Sequence, residues 1–423
     1  MRELECEFSA GVPLKWSPYN GTRDRSPALK TYMLYLISWL TDFSAFLFLF
    51  GGHRHLAEQQ ASQLVLGVLG STFFLAASIS NAIGGNLADR FGRRRISLCG
   101  AVLFTAVAGI VAITGPSGWF FYVAYTLVGV ALGIIYPPLI AWLSVRHRGR
   151  ASSRAFLFFC LSFNFGMLTA QLCGGWMYQH VSPLAPMIVA LVGAFAALIC
   201  IALLPREVEQ TKSADPPKPN EPVADSDLAN SFARLAWLAN FGGMFSMSTV
   251  WFLYPSLAVA LQVPAEAHGV TLAVGRGVVM SIYCVMYFQP NWQFRFRYSL
   301  LAQITGIIGL LGLCSAQTTI GLTASIAGLS TLLGFNYFAS LFYNAQGADK
   351  NRKGRAFGLN EAFLALGAAG GSLFGGLAAP YLGIRGPYQM AMIVVAIMAT
   401  VQCGLRFRRL RVTKVKPPIR LDS

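Results

Sequence analysis

The sequence predicts an all-α integral membrane protein with twelve transmembrane helices in two pseudo-repeated six-helix bundles. Three observations support this fold class: the composition, twelve apolar stretches of membrane-spanning length, and a one-sided distribution of basic residues. The chain has 423 residues, of which 55% are hydrophobic and only 12% charged. A soluble protein of this size is not so apolar. Most of the chain is therefore expected to contact lipid.

The helices follow from the length of the apolar stretches. A helix needs about 20 residues to cross the roughly 30 Å hydrocarbon core of a bilayer. In chain order, the predicted helices cover residues 30–50, 62–83, 96–115, 118–143, 155–178, 184–204, 233–259, 270–289, 299–316, 320–345, 356–379 and 386–405. An even number of crossings places both ends of the chain on the same side.

Basic residues lie almost entirely on one side of this arrangement. Of the 33 Lys and Arg residues, all but Arg54, Arg276 and Arg385 fall on one side: in the terminal segments, the central linker, the connections that follow even-numbered helices or, for Lys30 and Arg234, the first residues of an odd-numbered helix. Cytoplasmic connections are enriched in Lys and Arg, so both termini are predicted to be cytoplasmic, in an inner or plasma membrane. The net charge of +16 is thereby explained without a nucleic-acid partner, because no basic soluble module is present.

The helices divide into two halves around a hydrophilic stretch rich in Pro, Lys, Asp and Glu. The predicted organisation is an N-terminal cytoplasmic tail (1–29), a first six-helix bundle (30–205), a cytoplasmic linker (206–231), a second six-helix bundle (232–405) and a basic tail (406–423). The linker is expected to be disordered or extended. The halves also repeat, since an offset of 205 residues aligns Gly149-Arg150-Ala151 with Gly354-Arg355-Ala356.

A charged turn joins the second and third predicted helices. It reads Gly85-x-Leu87-Ala88-Asp89-Arg90-x-Gly92-Arg93-Arg94-x-Ile96. Gly85 permits close helix approach, Gly92 can take the positive φ of a tight turn, and Asp89 can pair with the adjacent arginines. This spacing is similar to the signature loop of the major facilitator superfamily. The helix count, linker, inside termini and internal repeat resemble the same family.

The resemblance implies a secondary transporter of a small organic solute. Its two bundles would rock around a midplane site, with a proton or cation as coupling ion, the lipid bilayer as surroundings and a monomer as sufficient unit. It also implies that the turn is a gate: Asp89 would contact the start of the eleventh helix near Arg355, where the helix dipole favours an anion, in the outward-open state only. The equivalent turn of the second half, 290–297, lacks the glycines and the aspartate.

Two positions depart from the pattern of proton antiporters in this family. Tyr125 stands where those proteins often carry an arginine, four residues before Gly129. The fifth helix, over 166–175, also lacks their Gly-Pro pair. Drug–proton antiport of the standard kind therefore loses support.

Three charged residues fall well inside predicted helices, away from the helix ends, where burying a charge in the bilayer is costly and indicates a specific role. Asp42 lies near mid-membrane and is the leading candidate for proton or cation coupling; the alternative is a packing role through a nearby serine or threonine. Arg276, predicted in the outer third of the eighth helix, would attract an anionic substrate, pair with Asp42, or snorkel outward. Glu361 is predicted to join the gate through a salt bridge to inner arginines.

The family resemblance implies a cavity lined by the first, fourth, seventh and tenth helices. Its candidate lining residues are Trp39 and Asp42, Tyr125 and Tyr136, Asn240 and Trp251, and Asn336 and Tyr337, together with Arg276. The set suggests an amphipathic or weakly polar solute; sugars, aromatic metabolites and lipophilic drugs fit equally well. Trp and Tyr near helix ends could instead belong to the interface belts.

Other classes of protein find less support. The five histidines form no metal-ligand pattern, and no phosphate-binding loop or serine-hydrolase motif occurs. We therefore expect no enzyme activity, no cofactor and no metal site. His53 and His55 are expected in a solvated outer loop. A non-transporting receptor or assembly scaffold on the same fold stays open, since fold does not determine function.

Overall fold

The computed structural model describes residues 25–116, 118–146, 150–204, 226–347 and 353–413; side chains near several helix ends, Arg355 among them, lie outside this description. The described ranges contain twelve α-helices and no strand. The helices are α1 (Arg25–Glu58), α2 (Gln63–Phe91), α3 (Arg93–Thr114), α4 (Trp119–Arg146), α5 (Arg150–His180), α6 (Ala185–Leu203), α7 (Ser226–Ala260), α8 (Ala265–Phe288), α9 (Phe296–Ser315), α10 (Thr319–Gly347), α11 (Lys353–Leu382) and α12 (Gly386–Thr413).

Each of these helices contains a run long and apolar enough to cross a membrane, so the predicted fold class is confirmed. The largest differences from prediction are at helix ends: α1, α2 and α12 end later than expected, and α1, α5, α7 and α8 begin earlier. His53 and Arg54, predicted in a loop, therefore lie within α1 and are buried. The helix can continue because its polar groups find partners, among them the Leu49 carbonyl, which lies 3.0 Å from His53 Nδ1.

The two halves share most of their packing pattern, although α7 also packs closely on α10, whereas α1 and α4 touch only slightly. In the first half α1 packs on α5 and α6, α2 on α4, and α3 on α4 and α6. In the second half α7 packs on α11 and α12, α8 on α10, and α9 on α10 and α12. A shift of six helices relates the two sets, which confirms the pseudo-repeat. The domain boundaries stay predictions, and most of the linker lies outside the described residues.

Apolar side chains face both the interior and the exterior of each bundle. Phe48, Phe104 and Phe121 are fully buried in the first half, as is Phe252 in the second, while Ile113 is 88% exposed. Exposed aliphatic residues of this kind recur along most of the helices. A bundle that is apolar on its outer surface is solvated by lipid, so this is a multi-pass membrane protein.

We call the side on which α1 begins and α12 ends the terminal side, and the opposite side the distal side. The halves meet mainly along α2–α11 and α5–α8. At the distal ends of these pairs glycines face each other: a side chain on Gly175 would meet Glu266 and Gly269, and one on Gly376 would meet Gly67. Small residues let helix backbones approach this closely. The distal side is therefore closed.

The terminal side is open between the halves. In the described part of the chain, α4 makes no substantial contact with α10 or α11. Glu361 of α11 is exposed, although Cys160 and Tyr337 lie within electrostatic range of its carboxylate. A side chain that is exposed and yet flanked by both halves faces a gap between them. The chain thus adopts a state that opens toward the terminal side.

Candidate functional site

Asp42 lies in the middle of α1 and is 3% exposed. It is the twelfth residue of the apolar run Thr31–Glu58, roughly 18 Å from its terminal end. The Tyr136 hydroxyl of α4 interacts with its carboxylate. Ser38 and Thr41 hydroxyls, proposed as packing partners, make no hydrogen bond in the described structure, and that of Ser44 binds the Leu40 carbonyl instead. The main polar neighbour of Asp42 is thus a tyrosine from another helix.

Arg276 lies at the midpoint of α8, as the twelfth of its 24 residues. The prediction of an outer-third position is wrong, because α8 begins at Ala265 and not near residue 270. Snorkelling is also excluded in this state, since Arg276 is only 3% exposed. Asp42 is within electrostatic range of the guanidinium, but the two form no ion pair in the described structure. Both charges lie at about the same depth in the membrane.

The guanidinium of Arg276 contacts both halves of the molecule. Its Nη1 lies 3.4 Å from Asn164 Oδ1 on α5. Its centre lies 4.3 Å from the Trp251 ring on α7 and 5.8 Å from the Phe46 ring on α1. Nε and Nη2 make no hydrogen bond to any described protein group. A buried cation therefore has one weak polar contact and two aromatic neighbours.

Several predicted cavity residues lie near this pair of charges. Tyr337 is half-buried, and its ring centre lies 6.3 Å from that of Tyr283. Trp251 also contacts Phe46 of the other half, at 5.7 Å between ring centres. Trp39 stacks on Phe43 at 5.5 Å and donates to Thr169 of α5 at 3.3 Å. The centre of the molecule is thus lined by aromatic rings and a few hydroxyls.

Three of the predicted cavity residues instead form hydrogen bonds to other residues of their own half. Tyr125 is fully buried, with its hydroxyl 2.9 Å from His53 Nδ1. Asn240 donates to Asn360 at 3.0 Å. Asn336 accepts a hydrogen bond from Ser299 at 2.7 Å. These groups hold helices together within each half in this state.

The turn between α2 and α3 has the predicted geometry at its glycine. Gly92 has φ of 94° and separates the two helices. The Arg93 guanidinium binds the Ala141 carbonyl of α4 at 3.5 Å, and that of Arg94 binds the Ala202 carbonyl. Two of the arginines thus tie α3 to α4 and α6 within the first half.

The remaining gate residues form no hydrogen bond or ion pair between the halves in the described structure. Gly85 approaches Pro137, with 3.8 Å between that proline and an ideal Cβ at the glycine. Asp89 is exposed and forms no hydrogen bond or ion pair with the described residues, and exposed Arg90 packs over Phe91. Glu361 accepts from Asn360 at 3.3 Å; its predicted ion pair with inner arginines is absent from the described structure.

The distal closure contains polar contacts that sequence reasoning missed. Arg54 of α1 pairs with Glu58 at 2.7 Å and donates to the Val263 carbonyl of the other half at 3.0 Å. His180 of α5 lies 3.0 Å from Glu266 of α8. Below these contacts is a cavity of about 30 Å³, lined by both halves, with room for about one water molecule.

This geometry defines a class of protein: a two-fold repeated bundle of twelve membrane helices, closed on one side, with charged side chains at mid-depth between its halves. Such an arrangement is typical of secondary transporters. The sequence profile of the Major Facilitator Superfamily matches residues 34–348. The chain belongs to this family, which is a family of transporters and not of enzymes.

Known proteins resemble the chain over differing lengths. It is 27% identical to the multidrug efflux pump LfrA of Mycolicibacterium smegmatis over 59% of this chain and 48% of LfrA, so the chain spans about half of that relative. It is 24% identical to the quinolone resistance protein NorA of Staphylococcus aureus over 74% of this chain and 80% of NorA. The crystal structure of a D-xylose–proton symporter superposes with a TM-score of 0.69 at 13% identity, covering 88% and 96% of the two chains.

Proposed function

We propose that this chain carries a small organic solute across the membrane by alternating access, coupled to a proton through Asp42. The observation that supports this most is a buried carboxylate at mid-depth on α1 that interacts with Tyr136 and lies within electrostatic range of Arg276 in the other half. A carboxylate between moving halves can bind a proton when the gap is open to one side of the membrane and release it when the gap is open to the other. Proton relays in transporters use intramembrane carboxylates in this way. The name of the D-xylose–proton symporter is compatible with this coupling.

The turn between α2 and α3 is proposed to act when the terminal side is closed. In the terminal-open state Asp89 forms no hydrogen bond or ion pair with the described residues, and its proposed partner is the start of α11 near Arg355. Closure of the terminal side would bring the carboxylate to that helix end, where the dipole stabilises an anion. The basic residues of the even-numbered connections support a cytoplasmic terminal side, in an inner or plasma membrane. A monomer contains both halves and is sufficient for this cycle.

Uptake into proteoliposomes of purified protein tests the proposal. A panel of radiolabelled sugars, organic acids, organic cations and lipophilic drugs would be offered with and without an imposed pH gradient of one unit. We expect accumulation of at least one solute, by up to about tenfold for one proton per solute, since one pH unit corresponds to about 1.4 kcal/mol. Vesicles without protein, and vesicles whose pH gradient is collapsed by a protonophore, are the controls.

The same experiment decides between transport and the receptor alternative. A receptor or scaffold would bind a solute, seen as a raised melting temperature, without any protein-dependent flux. Binding without flux for every solute of the panel would overturn the proposal.

A further inference from the structure

The donor atoms of Arg276 indicate a substrate class. Nε and Nη2, which are the two nitrogens without a hydrogen bond, lie on the same edge of the planar guanidinium, while Nη1 on the other edge contacts Asn164. This edge is the one that binds both oxygens of a carboxylate in parallel. We propose that Arg276 binds the carboxylate of an organic anion whose apolar or aromatic part lies against Trp251 and Phe46. This inference rests on the proposed transport function and assigns its substrate class.

Arg276 is buried without an ion-pair partner in the described structure, which supports the same assignment. A guanidinium taken out of water without a partner is strongly destabilising. Asp42 is near enough to interact electrostatically but does not pair with Arg276, and it faces the hydroxyl of Tyr136. No other acidic residue acts on Arg276 in the described structure. A bound carboxylate would supply the missing negative charge at the two free donors.

Because Arg276 lies between the halves, a ligand could reach it when the halves separate on the distal side. Arg276 and Trp251 belong to the second half, whereas Asn164 and Phe46 belong to the first. Opening the distal side separates α5 from α8 and α1 from α7. This movement would withdraw Asn164 and Phe46 from the guanidinium and expose its free edge to the distal side. The anion would thus bind in the distal-open state.

Asp42 and the substrate would then compete for the same cation. An ionised Asp42 partly compensates the charge of Arg276 and repels a carboxylate, and a protonated Asp42 does neither. Tyr136 from α4 and Tyr283 from α8 are the other titratable groups that face this pair. Proton and organic anion would therefore bind together, which is the requirement for symport.

Binding of matched acids and amides tests the inference. The probes are benzoate, phenylacetate and nicotinate, their uncharged amides, benzylammonium and sulfate, each tested by thermal shift and by uptake. We expect at least one carboxylate to stabilise and enter while its amide does neither. Arg276→Gln should weaken carboxylate binding by about 100-fold and Arg276→Lys by about tenfold, because the lysine keeps the charge but not the paired donors.

Two further variants test whether a change in carboxylate binding arises at the site or from general effects of charge and folding. Arg234→Gln removes one positive charge from an exposed position on α7 and should leave carboxylate binding unchanged. Asp42→Asn should bind the carboxylate at least as tightly as wild type, because it removes the competing negative charge. Weakened binding in Asp42→Asn would contradict the inference even if Arg276→Gln failed to fold.

The outcomes distinguish this inference from the proposed function. Flux of an amide, of the cation benzylammonium or of another solute without a carboxylate, with no carboxylate binding, would overturn the anion site and leave transport standing. Binding of sulfate alone, or unchanged carboxylate binding in Arg276→Gln, would also overturn it. Carboxylate binding that depends on Arg276 without flux would support the site and overturn the transport proposal.

Discussion

Asp42→Asn is expected to abolish accumulation driven by a pH gradient while preserving exchange of solute across the membrane. Asparagine resembles the protonated carboxyl in shape and charge, so the variant can still rock between its states with solute bound. It cannot bind or release a proton at this position, however, so a pH gradient cannot drive the transport cycle. The accumulation ratio should therefore fall from up to about tenfold per pH unit to one. Uptake under an imposed gradient and counterflow without a gradient measure the two quantities separately.

The control for this variant is the conservative change Asp42→Glu, which keeps a titratable carboxyl on α1. We expect partial pH-driven accumulation from it, with a melting temperature close to that of Asp42→Asn. Undiminished pH-driven accumulation in Asp42→Asn would show that another group carries the coupling proton. Loss of counterflow together with accumulation would show that Asp42 serves transport itself and not its coupling.

Gly269→Ala is expected to reduce transport strongly without unfolding the protein. A methyl group at this position of α8 would collide with the Gln171 carbonyl and with Gly175 of α5. These are backbone atoms, so the clash is relieved only if the two halves move apart on the distal side. Overpacking of this kind costs about 1–3 kcal/mol, which shifts a two-state equilibrium about 5- to 150-fold. Counterflow should fall accordingly, because the distal side closes only rarely.

Gly277→Ala provides the matched control in the same helix. An added methyl there would meet only the end of the Leu168 side chain, at 3.9 Å. Transport and melting temperature should both stay close to those of wild type. Equal transport in the two variants would mean that the α5–α8 contact does not limit the cycle.

The fold was predictable because lipid imposes a simple rule on the chain. Each crossing needs a continuous apolar run, and the charged turns between runs mark where the helices end, as at Gly92. The end of α1 was missed because the run from Gly51 to Glu58 is polar in sequence. In the structure its polar groups are paired within the protein, Arg54 with Glu58 and with Val263 of the other half. Such partners come from distant parts of the chain and are invisible to a local hydropathy reading.

The candidate site was predictable only in part. The cost of intramembrane charge singled out Asp42, Arg276 and Glu361, and the first two lie at mid-depth between the halves. Sequence alone did not fix helix rotation, so Tyr125 was placed in the cavity although it is buried against His53. Asn164 and Tyr283 were missed for the same reason. A polar residue midway along an apolar helix was the available signal for Asn164.

Reversible crosslinking of the distal side tests the central claim, that transport requires the halves to part there. Cysteines at positions 180 and 266 would replace His180 and Glu266, which lie 3.0 Å apart across the halves, in a functional background without native cysteines. Cysteines in place of His55 and Gln59, 2.8 Å apart within one segment of the chain, are the control. We predict that a short cleavable bis-thiol crosslinker stops counterflow in the first pair, that cleavage restores it, and that the control pair is unaffected. Undiminished counterflow through a fully crosslinked distal side would contradict alternating access.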